Sequence, residues 1–154
     1  MNFRRKKKPK IPDQKQVFDY ACWLLARRNY SESELLDKFH TRFIPDEKIF
    51  SAALEKLQKL GLQSDELFTE SFIHSHPGWG RRRLTLELKR RGIEESMMEL
   101  FLLNEADELS RCREALQKKL KGSELPAEFR ERQKLMAFLA RRGFGLDTIK
   151  NIFS

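Results

Sequence analysis

The chain has 154 residues, a formal net charge of +8, 35% charged and 40% hydrophobic side chains, enough for one ordinary domain or a short array of small repeats. Seven glycines and five prolines are too few for a turn-rich sandwich or barrel, and no apolar run approaches the roughly 20 residues of a membrane span. Cys22 and Cys112 lie far apart without a C-x-x-C pattern, which argues against a disulfide scaffold and for two buried, reduced thiols.

Helical signals follow one another along the chain. Val17, Ala21, Leu24 and Leu25 have the spacing of an amphipathic helix, broken at Asn29-Tyr30. Ser31 and Glu34 have capping-box spacing and open a second helix with Leu35, Leu36 and Phe39 inward. Pro45 fits the first turn of a third helix, whose apolar stripe is Ile49, Phe50, Ala53, Leu54 and Leu57; Gly61 is its natural stop. Ser64 caps a fourth, carrying Leu67, Phe68, Phe72 and Ile73 and ending at Pro77-Gly78. Trp79, Leu84 and Leu88 mark a fifth, stopped by Gly92, and residues 93–104 supply Met97, Leu100, Phe101 and Leu103 to a sixth. A long charged helix over about 106–121 ends at Gly122. Pro126 opens an eighth with Phe129, Leu135, Met136, Phe138 and Leu139 inward, and a short ninth holds Leu146, Ile149, Ile152 and Phe153. The expected class is all-α, with nine helices and no strand.

A repeat runs through these helices. Leu25-Ala26-Arg27-Arg28-Asn29-Tyr30 matches Leu139-Ala140-Arg141-Arg142-Gly143-Phe144, and at the same offset Leu35 falls on Ile149 and Phe39 on Phe153. A middle copy places Asn29-Tyr30 on Gly78-Trp79, Leu35 on Leu84, Phe39 on Leu88 and Ile44 on Ile93. A helix triplet of this size has a tiny core and gains stability by stacking on its neighbours. The expected architecture is an elongated, curved array of three helix-turn-helix-like repeats. Its boundaries fall at 13–61, 62–105 and 106–154, after a basic tail over residues 1–12.

The charge is uneven. Arg4, Arg5, Lys6, Lys7, Lys8 and Lys10 carry six of the positive charges, so the other 144 residues hold 25 bases against 23 acids. The tail is expected to be disordered. It serves either as an attraction to phosphates or an acidic groove, or as a solubilising end. No apolar segment follows this basic start as in a signal peptide, so the chain is expected in the cytoplasm. Within the body, Arg81, Arg82, Arg83, Lys89, Arg90 and Arg91 surround the single acid Glu87, and Glu94, Glu95, Glu99, Glu105, Asp107 and Glu108 follow without a base. Arginines on a rigid helix make bidentate contacts with carboxylate or phosphate; Arg82 and Lys89 project together, while Leu84 and Leu88 point inward. A merely solvated face is the plainer reading. Arg27-Arg28 and Arg141-Arg142 suit helix C-termini, where the dipole favours cations.

Chemistry is sparse. His74 and His76 lack further ligands at metal spacing, His40 stands apart, and Cys22 has no organised histidine beside it. There is no phosphate-cradling glycine loop, G-x-S-x-G or H-E-x-x-H. No catalytic residue, metal or cofactor is expected.

The motifs resemble those of the RecX family, regulators of the bacterial RecA recombinase. The resemblance lies in Leu25-Ala26-Arg27-Arg28 with Ser31-x-x-Glu34-Leu35 and Lys38-Phe39, then Leu60-Gly61-Leu62 with Asp65-x-x-Phe68. It continues through Gly80-x-x-x-Leu84-x-x-Glu87-Leu88-x-x-Arg91-Gly92-Ile93, and closes with Phe138-Leu139-x-Arg141-Arg142-Gly143-Phe144 and Ile149. The chain departs where the family has an aromatic and an acidic pair: Leu62, Gln63 and Ser64 stand there, and Asp65 alone remains. The resemblance implies three tandem three-helix repeats in a non-enzymatic monomer. Such a protein binds the RecA filament on single-stranded DNA, restraining strand exchange and ATP hydrolysis, with weak direct nucleic-acid binding as a further possibility and no membrane partner. Arg81, Arg82, Arg83, Lys89, Arg90 and Arg91 are the expected contacts, the tail an accessory. The competing expectation is a helix-turn-helix-like DNA-binding protein acting without RecA.

Overall fold

The computed structural model describes residues 7–154. Among them are nine α-helices and no strand: α1 (Gln14–Leu25), α2 (Glu32–Arg42), α3 (Glu47–Lys59), α4 (Asp65–Ser75), α5 (Arg81–Arg90), α6 (Glu95–Leu102), α7 (Glu105–Leu120), α8 (Phe129–Arg141) and α9 (Leu146–Phe153). The chain divides into two compact units, one ending at Phe68 and one spanning Thr69–Ser154.

In the first unit, short polar side chains start each helix by accepting an orphan backbone N–H. Asp13 accepts from Lys15, Ser31 from Glu34 at 3.1 Å, and Asp46 from Ile49 at 3.2 Å. The predicted stripes close on one core of Val17, Ala21, Leu24, Leu35, Phe39, Phe43, Phe50, Leu54 and Leu57. Each fully buried Val, Leu or Phe among them contributes about 1.5–3 kcal/mol. Phe39 and Phe50 meet with ring centroids 5.4 Å apart.

Asp65 bonds across this unit. Its Oδ1 accepts from the Glu32 backbone N–H at 2.8 Å and from Gln63 Nε2 at 2.9 Å. A carboxylate at the start of α2 is favoured by the helix dipole. Gln63 is buried and also accepts from Gln58 Nε2 at 3.0 Å, so this buried polar residue is hydrogen-bonded.

In the second unit, Ile73, Leu84, Leu88, Ile93 and Met98 are buried. Cys112, Ala115, Leu116, Leu139, Phe144 and Ile149 form a further core. The turn between α8 and α9 docks on the start of α5 by backbone alone. Gly80 N–H donates to the Arg142 carbonyl at 2.8 Å, and Arg82 N–H to the Gly143 carbonyl at 3.1 Å. A Cβ on Gly80 would overlap the Gly143 backbone, and one on Gly143 would come within 2.5 Å of Arg83 N and Cβ.

Several apolar expectations fail. Pro45 precedes the Asp46 cap rather than sitting in the first turn of α3, and Pro126 lies before Glu128, the residue that caps α8. Phe129 is 71% exposed and Leu100 74% exposed. In α6 the buried residue is Met98, because the helix starts at Glu95 and turns Met98, not Leu100 or Leu103, onto the core.

A test separates close packing from backbone preference. Gly143→Ala places Cβ against Arg83 at a φ of 92°, whereas Gly122→Ala, at a φ of 86°, meets open space. Urea unfolding should show the first destabilised by roughly 2 kcal/mol or more, and the second by only the roughly 1–2 kcal/mol of a left-handed non-glycine residue. Equal losses would show that the docking does not depend on glycine.

Candidate functional site

Helix α5 carries the basic cluster, with Leu84 and Leu88 fully buried beneath it. Gly80 offers no side-chain cap, and a cation, Arg81, occupies the first turn, where the dipole disfavours it. Glu108 of α7 compensates for both. Its carboxylate accepts from the Arg81 backbone N–H at 3.3 and 3.4 Å and lies 3.4 Å from Arg81 Nε. Glu108 is 8% exposed, while Glu94, Glu95, Glu99, Glu105 and Asp107 are exposed. The acidic run is therefore a solvated stretch with one residue turned inward.

The other cations divide according to their partners. The Arg83 guanidinium lies 4.0 Å over the Trp79 ring. Glu87 receives Arg90 at 2.8 Å and Arg91 at 2.9 Å, and Arg91 also donates to the Glu87 carbonyl and lies 4.6 Å over Phe72. The Arg91 hydrogen bond, above all, holds the Glu87 carboxyl below its ordinary range. Arg82 and Lys89 are exposed, and neither side chain has an ion pair or hydrogen bond among the described residues. Leu86 stands between them, half exposed, and Arg90 adds a 64% exposed side chain. The open surface is thus Arg82, Leu86, Lys89 and Arg90; Arg81, Arg83 and Arg91 are drawn into internal contacts.

One cation absent from the sequence expectations supports this face. Arg111 of α7 donates to the carbonyls of His76 at 2.7 Å and Trp79 at 3.0 Å, fixing the loop before α5; burial pushes its pKa down. Nothing local in the sequence marks it, because its acceptors are backbone carbonyls more than thirty positions away.

The tail residues Arg4, Arg5 and Lys6 lie outside the described residues. Lys7, Lys8 and Lys10 are exposed. Lys10 pairs by backbone with the α2–α3 connection, donating to the Arg42 carbonyl at 3.0 Å and accepting from Ile44 at 2.8 Å. His74 and His76 engage the carbonyls of Glu70 and Phe72 through Nδ1, and His76 stacks on Trp79 at 4.0 Å. No three His, Cys, Asp or Glu residues gather as for a metal among the described residues.

The fold and this face define a class: an all-α protein of helical triplets presenting a small cationic stripe. Models of the RecX family match two stretches, the second three-helix domain over residues 64–100 and the third over residues 105–153. The regulatory protein RecX of Legionella pneumophila (strain Corby) is 36% identical over 141 residues, covering 90% of this chain and 93% of its own. That of Pseudomonas fluorescens is 37% identical over 137 residues, with 87% of each chain covered. The crystal structure of RecX from Lactobacillus salivarius superposes with a TM-score of 0.76 at 21% identity, covering 91% of this chain and 94% of that one. The chain belongs to the RecX family of regulatory proteins.

The thiols give a test of the core beside α5. Cys22 is half-buried and Cys112 fully buried, and burial pushes the Cys112 thiol up to about 12 from 9.0. A thiol reagent at pH 8 should therefore modify at most one cysteine in the native chain and two in denaturant. Because folding holds the Cys112 proton that the unfolded chain loses, this contribution to stability is full below pH 9.0 and lost as pH rises toward 12. Rapid native modification of both thiols would contradict the burial.

Proposed function

We propose that this chain is a cytoplasmic, non-enzymatic modulator that binds the RecA filament on single-stranded DNA and restrains its recombinase and ATPase activities. The observation that carries this reading is family membership across nine-tenths of the chain, joined to a cationic stripe on α5 that internal acids leave open. The three repeats, 13–61, 62–105 and 106–154, serve as consecutive docking modules of a monomer. Arg82, Lys89 and Arg90 are the first contacts. Arg81, Arg83 and Arg91 hold the helix that presents them, and the basic tail is an accessory. In support of a binding role, α5 is fixed from three sides, by Glu108, by Arg111 and by the Gly143 carbonyl. A docking helix held this firmly loses little freedom on association.

Charge reversal tests the stripe. Arg82→Glu combined with Lys89→Glu removes no internal partner, so helicity and unfolding midpoint should stay near those of the parent. Inhibition of RecA ATPase on single-stranded DNA should need at least about tenfold more protein, the scale expected when two partly exposed cations are reversed at a charged interface. Undiminished inhibition by the folded variant would remove these residues from the site. Salt-steep DNA binding with no effect on RecA would instead favour an independent DNA-binding protein.

A further inference from the structure

The first unit carries a second surface that the α5 stripe does not involve. Gln16, Tyr20, Trp23 and Arg27 recur at helical spacing beside the buried stripe of Val17, Ala21 and Leu24. Trp23 is 53% exposed although its neighbour Leu24 is buried. The Arg27 guanidinium lies 3.5 Å over the Trp23 ring, held there by donating to the Trp23 carbonyl at 2.6 Å. Tyr20 lies nearly parallel to Trp23, at 6.2 Å and 21°, and Arg42 of α2 sits 4.8 Å over Tyr20. Guanidinium, indole, phenol and guanidinium follow one another along the surface.

These groups border a cavity of about 370 Å³, lined among others by Lys10, Gln16, Asp19, Tyr20, Trp23 and Arg42, within the roughly 300–1,000 Å³ of ligand sites. The backbone pairing of Lys10 with Arg42 and Ile44 brings Lys10 to this rim, with Lys7 and Lys8 just before it along the chain. Asp19 is the one acid in the lining among the described residues.

Flat π surfaces flanked by cations suit a ligand with a planar face and nearby negative charge. A purely apolar segment would leave Lys10 and Arg42 without anions, and a simple anion would leave Trp23 in water. A base in a duplex already stacks on its neighbours, whereas an unpaired base is free to stack on an aromatic ring or a guanidinium plane. We infer that this face binds single-stranded nucleic acid, with a base stacked on the Trp23–Arg27 pair and the flanking phosphates on Lys10 and Arg42. The inference is independent of the RecA reading, since it concerns another surface and needs no second protein.

The experiment is fluorescence anisotropy of labelled oligothymidylate titrated with the full chain in the absence of RecA. Trp23→Ala should weaken binding about tenfold, the loss of one stacked base, and Trp23→Phe should keep most of the affinity. Lys10→Glu with Arg42→Glu should weaken it further and flatten its dependence on salt. Circular dichroism checks that each variant is helical. Wild-type affinity in a helical Trp23→Ala chain would overturn the inference. So would Trp23-dependent binding of duplex DNA or of a polyglutamate peptide as tightly as of the single strand.

Discussion

The second unit turns on a place where two backbones touch. Gly80 and Gly143 come so close that neither tolerates a Cβ, and two backbone hydrogen bonds, Gly80 N–H to the Arg142 carbonyl and Arg82 N–H to the Gly143 carbonyl, join the two turns. Small helical triplets bury too little apolar surface to stand alone, so the junctions between them must be tight. Carrying the junction on backbone fixes its geometry independently of side-chain rotamers. The same contact fixes the first turn of α5, and α5 carries the basic cluster. The placement of the candidate site therefore follows from a packing requirement of the repeat.

That placement creates an electrostatic conflict which α7 resolves. A helix beginning Arg-Arg-Arg puts cations where its own dipole is positive, and its glycine cap supplies no acceptor. Glu108 offsets both by bonding the Arg81 N–H and approaching its guanidinium. Toward the other end, where the dipole already favours cations, Glu87 gathers Arg90 and Arg91. Six clustered cations thus present far less free charge than their number implies, and among the described residues the Arg82 and Lys89 side chains have no ion pair or hydrogen bond. A surface with so few open charges suits docking at a defined place better than coating a polyanion.

Much of the fold was legible in the residues. The caps at Ser31 and Ser64, the stop at Gly92 and the stripes Leu35/Phe39 and Leu84/Leu88 are local signals with local causes, and each operates as expected. Errors arose where burial is decided by a neighbouring element. Phe129 and Leu100 are apolar and helical, yet they stay exposed among the described residues. The site divided along the same line. Spacing brought Arg82 and Lys89 together, but spacing could not show that Glu108, 27 positions on, occupies Arg81, or that Arg111 fixes the preceding loop. Trp23 sat in an apolar context beside Leu24, and only the tertiary structure shows which of the two is covered.

The arginine-on-aromatic contacts show why exposure, not composition, distinguishes the two kinds of surface. Arg28 over Tyr30, Arg83 over Trp79, Arg91 over Phe72 and Arg142 over Phe138 cover rings that are buried or half-buried at triplet edges. There the guanidinium closes a small core while keeping its own edge in water. Arg27 over Trp23 uses the same pairing on a ring that more than half faces solvent. A cation on an exposed indole closes no core, so the structural reason that accounts for those four does not reach it, and Arg42 over the half-buried Tyr20 borders the same cavity. What remains is a flat, positively flanked surface beside a cavity, and the chemistry that fits it is an unpaired base with its phosphates.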